Sequence, residues 1–217
     1  IDSAQKAGFR VLYSDTDSIF LLLDGKIKND TKKFIESINA NLPGLMELEY
    51  EGFYPRGIFV SAKEGAYGAK KKYALIDKKG NLKIRGFETV RRDWCRLARE
   101  LQNRVIEKIL KEGNEKSALE YTKKIIKELK ERKVDKKKLI IRTQLKKSLS
   151  EYKAITPHVT IAKKMIESGM PVDQGMLIEY FIAESKNKKA LTREKAVFPD
   201  DEKNYDIDYY LNKQVLP

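Results

Sequence analysis

Two short apolar runs that bracket a pair of carboxylates restrict this chain more than any other feature. Phe9-Arg10-Val11-Leu12-Tyr13 and Ser18-Ile19-Phe20-Leu21-Leu22-Leu23 are rich in aromatic, β-branched and aliphatic residues, and both have the length of a strand rather than of a core helix. Ser14-Asp15-Thr16-Asp17 lies between them, and Ser and Asp hydrogen-bond locally to backbone N–H groups in tight turns. The pattern predicts a hairpin with Asp15 and Asp17 at its tip, where both carboxylates can reach one cation. Oxygen donors of this kind suit Mg²⁺, which keeps several waters and takes phosphate oxygens as further ligands. An Asp-x-Asp triplet by itself has low specificity, because most such triplets are simply turns.

The rest of the chain reads as an α+β first part and a mainly helical second part. Gly8 ends a first helix, Asp30-Thr31 starts one that runs to about Asn41, and Leu42-Pro43-Gly44 breaks it. From Leu45 to Tyr54 the sequence alternates, Met46, Leu48 and Tyr50 against Glu47, Glu49 and Glu51, which predicts a half-exposed strand. Further strands are expected over 57–60, 72–77 and 82–85, with a flexible loop at Glu64–Gly68 and a turn at Lys78–Asn81. After Asp93 the period changes. Trp94, Leu97, Ala98, Leu101, Val105, Ile109 and Leu110 form one helical stripe that stops at Gly113. Ala118, Leu119, Tyr121, Thr122, Ile125, Ile126 and Leu129 form a second. Pro157 opens another helix, which ends at Gly169. A strand is expected over Met176–Ala183, a polar loop over 184–203, and a terminal helix over Asp208–Val215. The expected domain boundary is 1–90 and 91–217.

Composition narrows the class of molecule. The 217 residues carry 45 Lys+Arg against 32 Asp+Glu, a net charge of +13. Residues 1–60 hold 7 basic and 9 acidic side chains, so the excess belongs to the remainder of the chain. Such an excess fits a polyanionic partner or a Lys-rich solvated surface, and charge alone does not choose between them. No apolar run approaches 18 residues, which argues against a membrane span. The single cysteine, Cys95, rules out an intrachain disulfide and a Cys-based zinc cage, and reads as packing. The chain opens at Ile1 rather than Met, which leaves room for residues upstream.

Tyr13-Ser14-Asp15-Thr16-Asp17-Ser18 resembles the third palm motif of family B DNA polymerases, and the resemblance extends along nearly the whole chain. Glu51-Gly52-Phe53-Tyr54, Arg56-Gly57 and Lys70–Asp77 resemble the family's Lys-x-Tyr region. Arg85–Trp94 resembles the passage from palm to thumb. Tyr152-Lys153-Ala154, Pro157-His158-Val159 and Tyr205–Pro217 resemble thumb segments of the archaeal enzymes. The resemblance implies an antiparallel palm sheet with a catalytic hairpin over 1–90, and a thumb over 91–217. It implies that Asp17 is the main ligand of two Mg²⁺ ions and Asp15 a less direct one, in nucleotidyl transfer from a dNTP to a primer 3′-hydroxyl. Lys71 and Tyr73 match the pair that touches the primer–template duplex. Arg85, Arg91 and Arg92 read as phosphate contacts or as arginines holding palm to thumb. His158, near a helix N-terminus, reads as a phosphate contact or as packing. Lys133 and Lys136–Lys138 read as solvated loop charge.

Several family motifs have no counterpart among these residues: the first palm motif with its Asp, the finger helix with its triphosphate-binding Lys, and the exonuclease acids. A two-metal site needs the other Asp. The resemblance therefore implies either a fragment of a longer polymerase or, as the favoured reading, a small subunit whose partner is a larger polymerase subunit, as in the split enzymes of some methanogens, with a sliding clamp reached through that partner. It also implies a cytoplasmic, nucleoid-associated setting. Ser14 replaces the more usual Gly or Ala, residues 62–69 look like an insertion, and related thumbs continue beyond Pro217. A non-catalytic primer–template-binding subunit is the alternative. Nucleotidyl cyclase chemistry uses a similar hairpin but does not account for the basic helical part or the Lys-x-Tyr region.

Overall fold

A hairpin seated on a separate three-stranded sheet organises the first of two units in the computed structural model, which describes residues 1–61, 68–187 and 189–216. The units are Ile1–Gly86 and Phe87–Pro217, so the division falls inside the Arg85–Trp94 segment. The expected loop at 64–68 and the 62–69 insertion lie largely outside the described residues. No helix among the described residues is long and apolar enough to cross a membrane.

In the first unit, helix α1 (Asp2–Lys6) leads through Gly8, whose φ is +74°, into β1 (Arg10–Asp15). β2 (Ser18–Leu22) returns antiparallel after a two-residue turn. The pairing slips by one residue at Leu12, and this bulge brings Tyr13 directly opposite Phe20. α2 (Lys28–Asn39) starts two residues before Asp30, whose carboxylate accepts the Ile27 N–H (2.9 Å) and so caps the first turn. β3 (Arg56–Ser61), β4 (Gly68–Ile76) and β5 (Leu82–Arg85) form an antiparallel sheet in the order β3-β4-β5, with Phe59 opposite Tyr73. The turn between β4 and β5 is held by Asp77, whose carboxylate accepts the N–H groups of Lys79 and Asn81 (both 2.8 Å).

The strand expected over Leu45–Tyr54 does not form. Leu48 keeps both backbone polar groups satisfied without a neighbouring strand, because the Asn39 side-chain amide donates to its carbonyl (3.0 Å) and accepts from its N–H (2.8 Å). Tyr50 and Phe53 pack against the ammonium groups of Lys28 and Lys78, and Glu51 pairs with Lys83. The Asn39 side chain therefore does for Leu48 what a sheet ladder would have done.

The second unit has a larger core, and it contains a sheet that the sequence pattern did not reveal. α3 (Arg96–Glu107) ends in a π-turn at Lys108–Glu112 and a left-handed Gly113. α4 (Glu115–Lys130) is capped by Asn114, which accepts the Ser117 N–H (2.9 Å). Then come β6 (Ile141–Gln144), α5 (Pro157–Glu167), β7 (Leu177–Ile182), β8 (Ala196–Val197) and α6 (Ile207–Tyr210), which runs on as a π-turn over Leu211–Val215. β6, β7 and β8 pair antiparallel, so β8 interrupts the expected 184–203 loop. Trp94 precedes α3 rather than joining it, Ile106 is buried on α3 although the expected stripe omitted it, and Leu119 is exposed. Ile178, Phe181, Ile182, Leu129, Leu139, Ile141, Ile161 and Tyr210 are almost fully buried together.

Buried polar groups pin this core. The Tyr210 hydroxyl donates to the Leu139 carbonyl (2.8 Å) and accepts the Ile182 N–H (3.0 Å). The Gln214 side-chain oxygen accepts the Cys95 N–H (2.8 Å), which ties the chain end to the start of α3. Burial pushes the Cys95 thiol up to about 11, in keeping with a packing role. Tyr210→Phe would leave a buried carbonyl and a buried N–H without partners. It should destabilise the second unit by about 2 kcal/mol or more in urea unfolding; an unchanged midpoint would mean that Tyr210 contributes only its ring.

Candidate active site

The acidic hairpin tip takes its shape from Asp15 itself. Neither Thr16 nor Asp17 has positive φ, so the turn is not one of the mirror-image types that two-residue hairpin loops favour. Instead Asp15 Oδ1 accepts the Thr16 N–H (2.9 Å) and, at 3.4 Å, the Thr16 hydroxyl. Asp15 is the last residue of β1 and is half-buried, whereas Asp17 is exposed. Asp17 makes no hydrogen bond or ion pair among the described residues, and it borders an open groove of about 940 Å³ walled by β2, α2 and the 47–57 segment.

Four aromatic rings fix where this tip stands. Tyr13 and Phe20 are one cross-strand pair, Phe59 and Tyr73 another, and the two pairs face each other. All six ring-to-ring distances lie between 5.1 and 5.9 Å. The cluster clamps the hairpin to the sheet, and Lys71 lies next to it on β4. Its backbone N–H donates to the Tyr13 hydroxyl (2.6 Å), and its ammonium stands 3.8 Å from Asp15 Oδ2. The Lys71 side chain is largely exposed, so this ion pair is weak and the ammonium is available to another anion.

The other residues singled out from sequence are distributed over both units. Tyr73 is half-buried by its place in the ring cluster. Arg85 closes β5, exposed, opposite Tyr73. In the second unit, Arg91 forms a two-bond fork with Asp93 (3.0 and 2.6 Å) and holds that carboxyl below its usual range. Arg92 beside it is exposed and has no partner among the described residues. Lys133 pairs with Glu131 (2.7 Å). Two of the loop lysines are used internally rather than merely solvated. Lys136 donates to the Asp201 and Lys203 carbonyls (3.1 and 3.3 Å), and Lys138 pairs with Glu100 (2.9 Å).

His158 is the second residue of α5, and its Nδ1 lies 3.0 Å from the Thr156 hydroxyl. Its ring meets Tyr152 edge-on at 5.7 Å, and burial lowers its pKa below the ordinary value of 6.5. Burial thus favours the neutral imidazole over the charged one. Between its folded pKa and about 6.5 the unfolded chain binds more protons, so stability rises with pH across that window. His158 is the only histidine, so its NMR titration can be read without assignment. A midpoint below 6.5 is expected, and one above it would mean that an anion faces the ring.

The carboxylates suit a hard, oxygen-seeking cation, and Asp17 has uncommitted oxygens for one. No group of three or more His, Cys, Asp or Glu capable of enclosing a metal occurs among the described residues. The tip thus offers part of a coordination shell and not a whole one.

Comparison with known proteins identifies the family. The family model described as DNA polymerase family B matches residues 2–217. The chain is 44% identical over 220 aligned positions to a DNA polymerase of Pyrococcus glycovorans, covering 98% of the chain and 27% of that protein. It is 42% identical to a DNA polymerase of Methanocaldococcus jannaschii, covering all of the chain and 13% of that protein. The chain thus spans about a quarter or less of the length of these relatives. The solved structure of the family B DNA polymerase from Pyrobaculum calidifontis superposes over 100% of the chain and 26% of its own, with a TM-score of 0.69 and 32% identity. With a family match running from end to end and identities above 40% along almost its whole length, the chain belongs to DNA polymerase family B.

Proposed function

We propose that this chain contributes the acidic hairpin and the adjoining duplex-holding groups of a DNA-directed DNA polymerase, the first unit acting as palm and the second as thumb. The observation that carries this reading is a single piece of geometry. In a family B chain, Asp15 and Asp17 sit on a hairpin clamped by four rings to the very sheet that bears Lys71 and Tyr73.

In this reaction a primer 3′-hydroxyl attacks the α-phosphate of a dNTP and pyrophosphate leaves. Asp17, exposed and uncommitted, is the residue best placed to hold two Mg²⁺ ions, with Asp15 as the less direct ligand. Magnesium held there would supply Lewis-acid chemistry, favouring deprotonation of the attacking hydroxyl and offsetting charge on the leaving group. The chain's own residues orient what surrounds it. Asp15 shapes the turn that aims Asp17. Lys71 presents an ammonium to the minor-groove edge or backbone of the primer–template, and Tyr73 braces it. Arg85, Arg92 and the N-terminal turn of α5 with His158 are further contacts to the duplex backbone; Arg91, already forked to Asp93, serves better as a strut.

Residues 1–217 do not include the other palm acid or the triphosphate-binding helix, so those groups come from elsewhere in the polymerase. We assign them to a larger partner polypeptide. Only a mixture containing that polypeptide should extend a primer, and the two should co-purify; extension by residues 1–217 alone would contradict this. In the assembled enzyme, Asp17→Ala should cut extension by roughly a hundredfold or more, as expected when a metal-holding charge is removed, with primer–template binding retained. Normal extension by that variant would instead support the non-catalytic binding role. Lys71→Ala should weaken primer–template binding and lower the slope of log affinity against log salt by roughly one.

A further inference from the structure

The Tyr13 hydroxyl lies beside the site yet has no task in the chemistry outlined above. It reaches across 58 residues of sequence to accept the Lys71 N–H at 2.6 Å. Its ring cannot drift, because Phe20, Phe59 and Tyr73 hold it on three sides. The hydroxyl therefore points in a fixed direction.

Lys71, in contrast, stands where β4 leaves regular pairing. The β3–β4 register runs evenly from Arg56↔Ile76 to Phe59↔Tyr73 and then jumps to Ser61↔Gly68, so Lys71 falls within a bulge. Its pairing with β5 has also ended, since the last partner there is Tyr73↔Arg85. Lys71 has φ of +58°, a left-handed conformation that a lysine rarely adopts and that a strand does not call for. Bulges of this type re-aim a side chain. Gly86 closes the arrangement from behind: it too has positive φ, and a Cβ at that position would collide with the Lys71 carbonyl oxygen. A backbone outlier held from both sides is a reason to look for function.

We propose that Tyr13 is a positioning residue for Lys71. By taking the Lys71 N–H, its hydroxyl stabilises the left-handed bulge and sets the point from which the lysine side chain leaves β4. That places the ammonium beside the acidic tip, 3.8 Å from Asp15 when no other anion is present, and within reach of the primer strand when one is. Tyr13 thus links the two halves of the site: its ring seats the hairpin, and its hydroxyl aims the cation. The inference rests on the proposed role of Lys71 in binding primer–template.

The test is a double-mutant cycle on the assembled polymerase, reading the primer–template dissociation constant by fluorescence anisotropy. Tyr13→Phe keeps the ring and removes only the acceptor. It should weaken binding roughly fivefold, the effect of one net hydrogen bond, and move the salt slope toward that of Lys71→Ala. In the Lys71→Ala background the same substitution should change binding by less than about 1.5-fold, because the group it aims has gone. Gly86→Ala pushes on the same Lys71 carbonyl, and it should show the same dependence on Lys71 should Tyr13→Phe fail to fold. Equal weakening by Tyr13→Phe in both backgrounds would overturn the proposal, since the hydroxyl would then act through hairpin stability. No effect of Tyr13→Phe beside a clear effect of Lys71→Ala would overturn it too, while leaving the lysine's DNA contact intact. A silent Lys71→Ala would remove the underlying reading and the inference together.

Discussion

Two cross-strand aromatic pairs packed against each other at tilted and edge-on angles are what the rest of the first unit depends on. An isolated two-stranded hairpin is marginal in water, and among the described residues β1–β2 pairs with no third strand. Its position comes from Tyr13 and Phe20 packing on Phe59 and Tyr73. Aromatic pairs of this kind contribute about 0.5–1.5 kcal/mol each beyond the area they bury. The Leu12 bulge is part of the same solution, because without it Tyr13 would face Ile19 and the quartet would lose a member. The acidic tip is thus exposed at its end and anchored at its root, a combination suited to carboxylates that must meet a cation and a substrate.

The second unit uses its charge in a way that composition conceals. Part of the basic excess never faces a partner. Arg132 donates to the Tyr205 carbonyl (2.7 Å) and to Glu184 (2.6 Å), Lys136 satisfies two loop carbonyls, and Lys195 forms a mostly buried pair with Asp206 (2.8 Å). These contacts stitch the irregular 184–206 stretch onto the helices. A net charge of +13 therefore does not by itself show where cations stand free on the surface; Lys71, Arg85 and Arg92 are among those that remain exposed.

What the sequence disclosed follows the range of the interactions involved. The hairpin, the caps near Asp30 and Pro157, and the glycine stops at Gly8, Gly113 and Gly169 depend on neighbours within a few residues, so they were legible. The strand expected at Leu45–Tyr54 failed because alternation signals a half-covered surface, not the presence of a partner strand; Asn39 supplied the backbone hydrogen bonds instead. β6 and β8 went unseen for the opposite reason. Four residues and two residues carry almost no periodic signal, and their pairing with β7 joins segments distant in sequence. Within the site, the residue types at Asp15, Asp17, Lys71 and Tyr73 could be read directly. The ring quartet, the left-handed Lys71 and the Tyr13–Lys71 bond could not, since each exists only once β1 and β4 have met.

In the proposed polymerase the Asp15–Asp17 tip holds the metal used in nucleotide addition. Iron-directed cleavage tests it directly. With Fe²⁺ in place of Mg²⁺ in the assembled polymerase, and with primer–template and nucleotide present, hydroxyl radicals generated at the metal cut the backbone nearest to it. The expected result is scission between Ser14 and Ser18 that excess Mg²⁺ suppresses; cleavage elsewhere with this turn left intact would contradict the account.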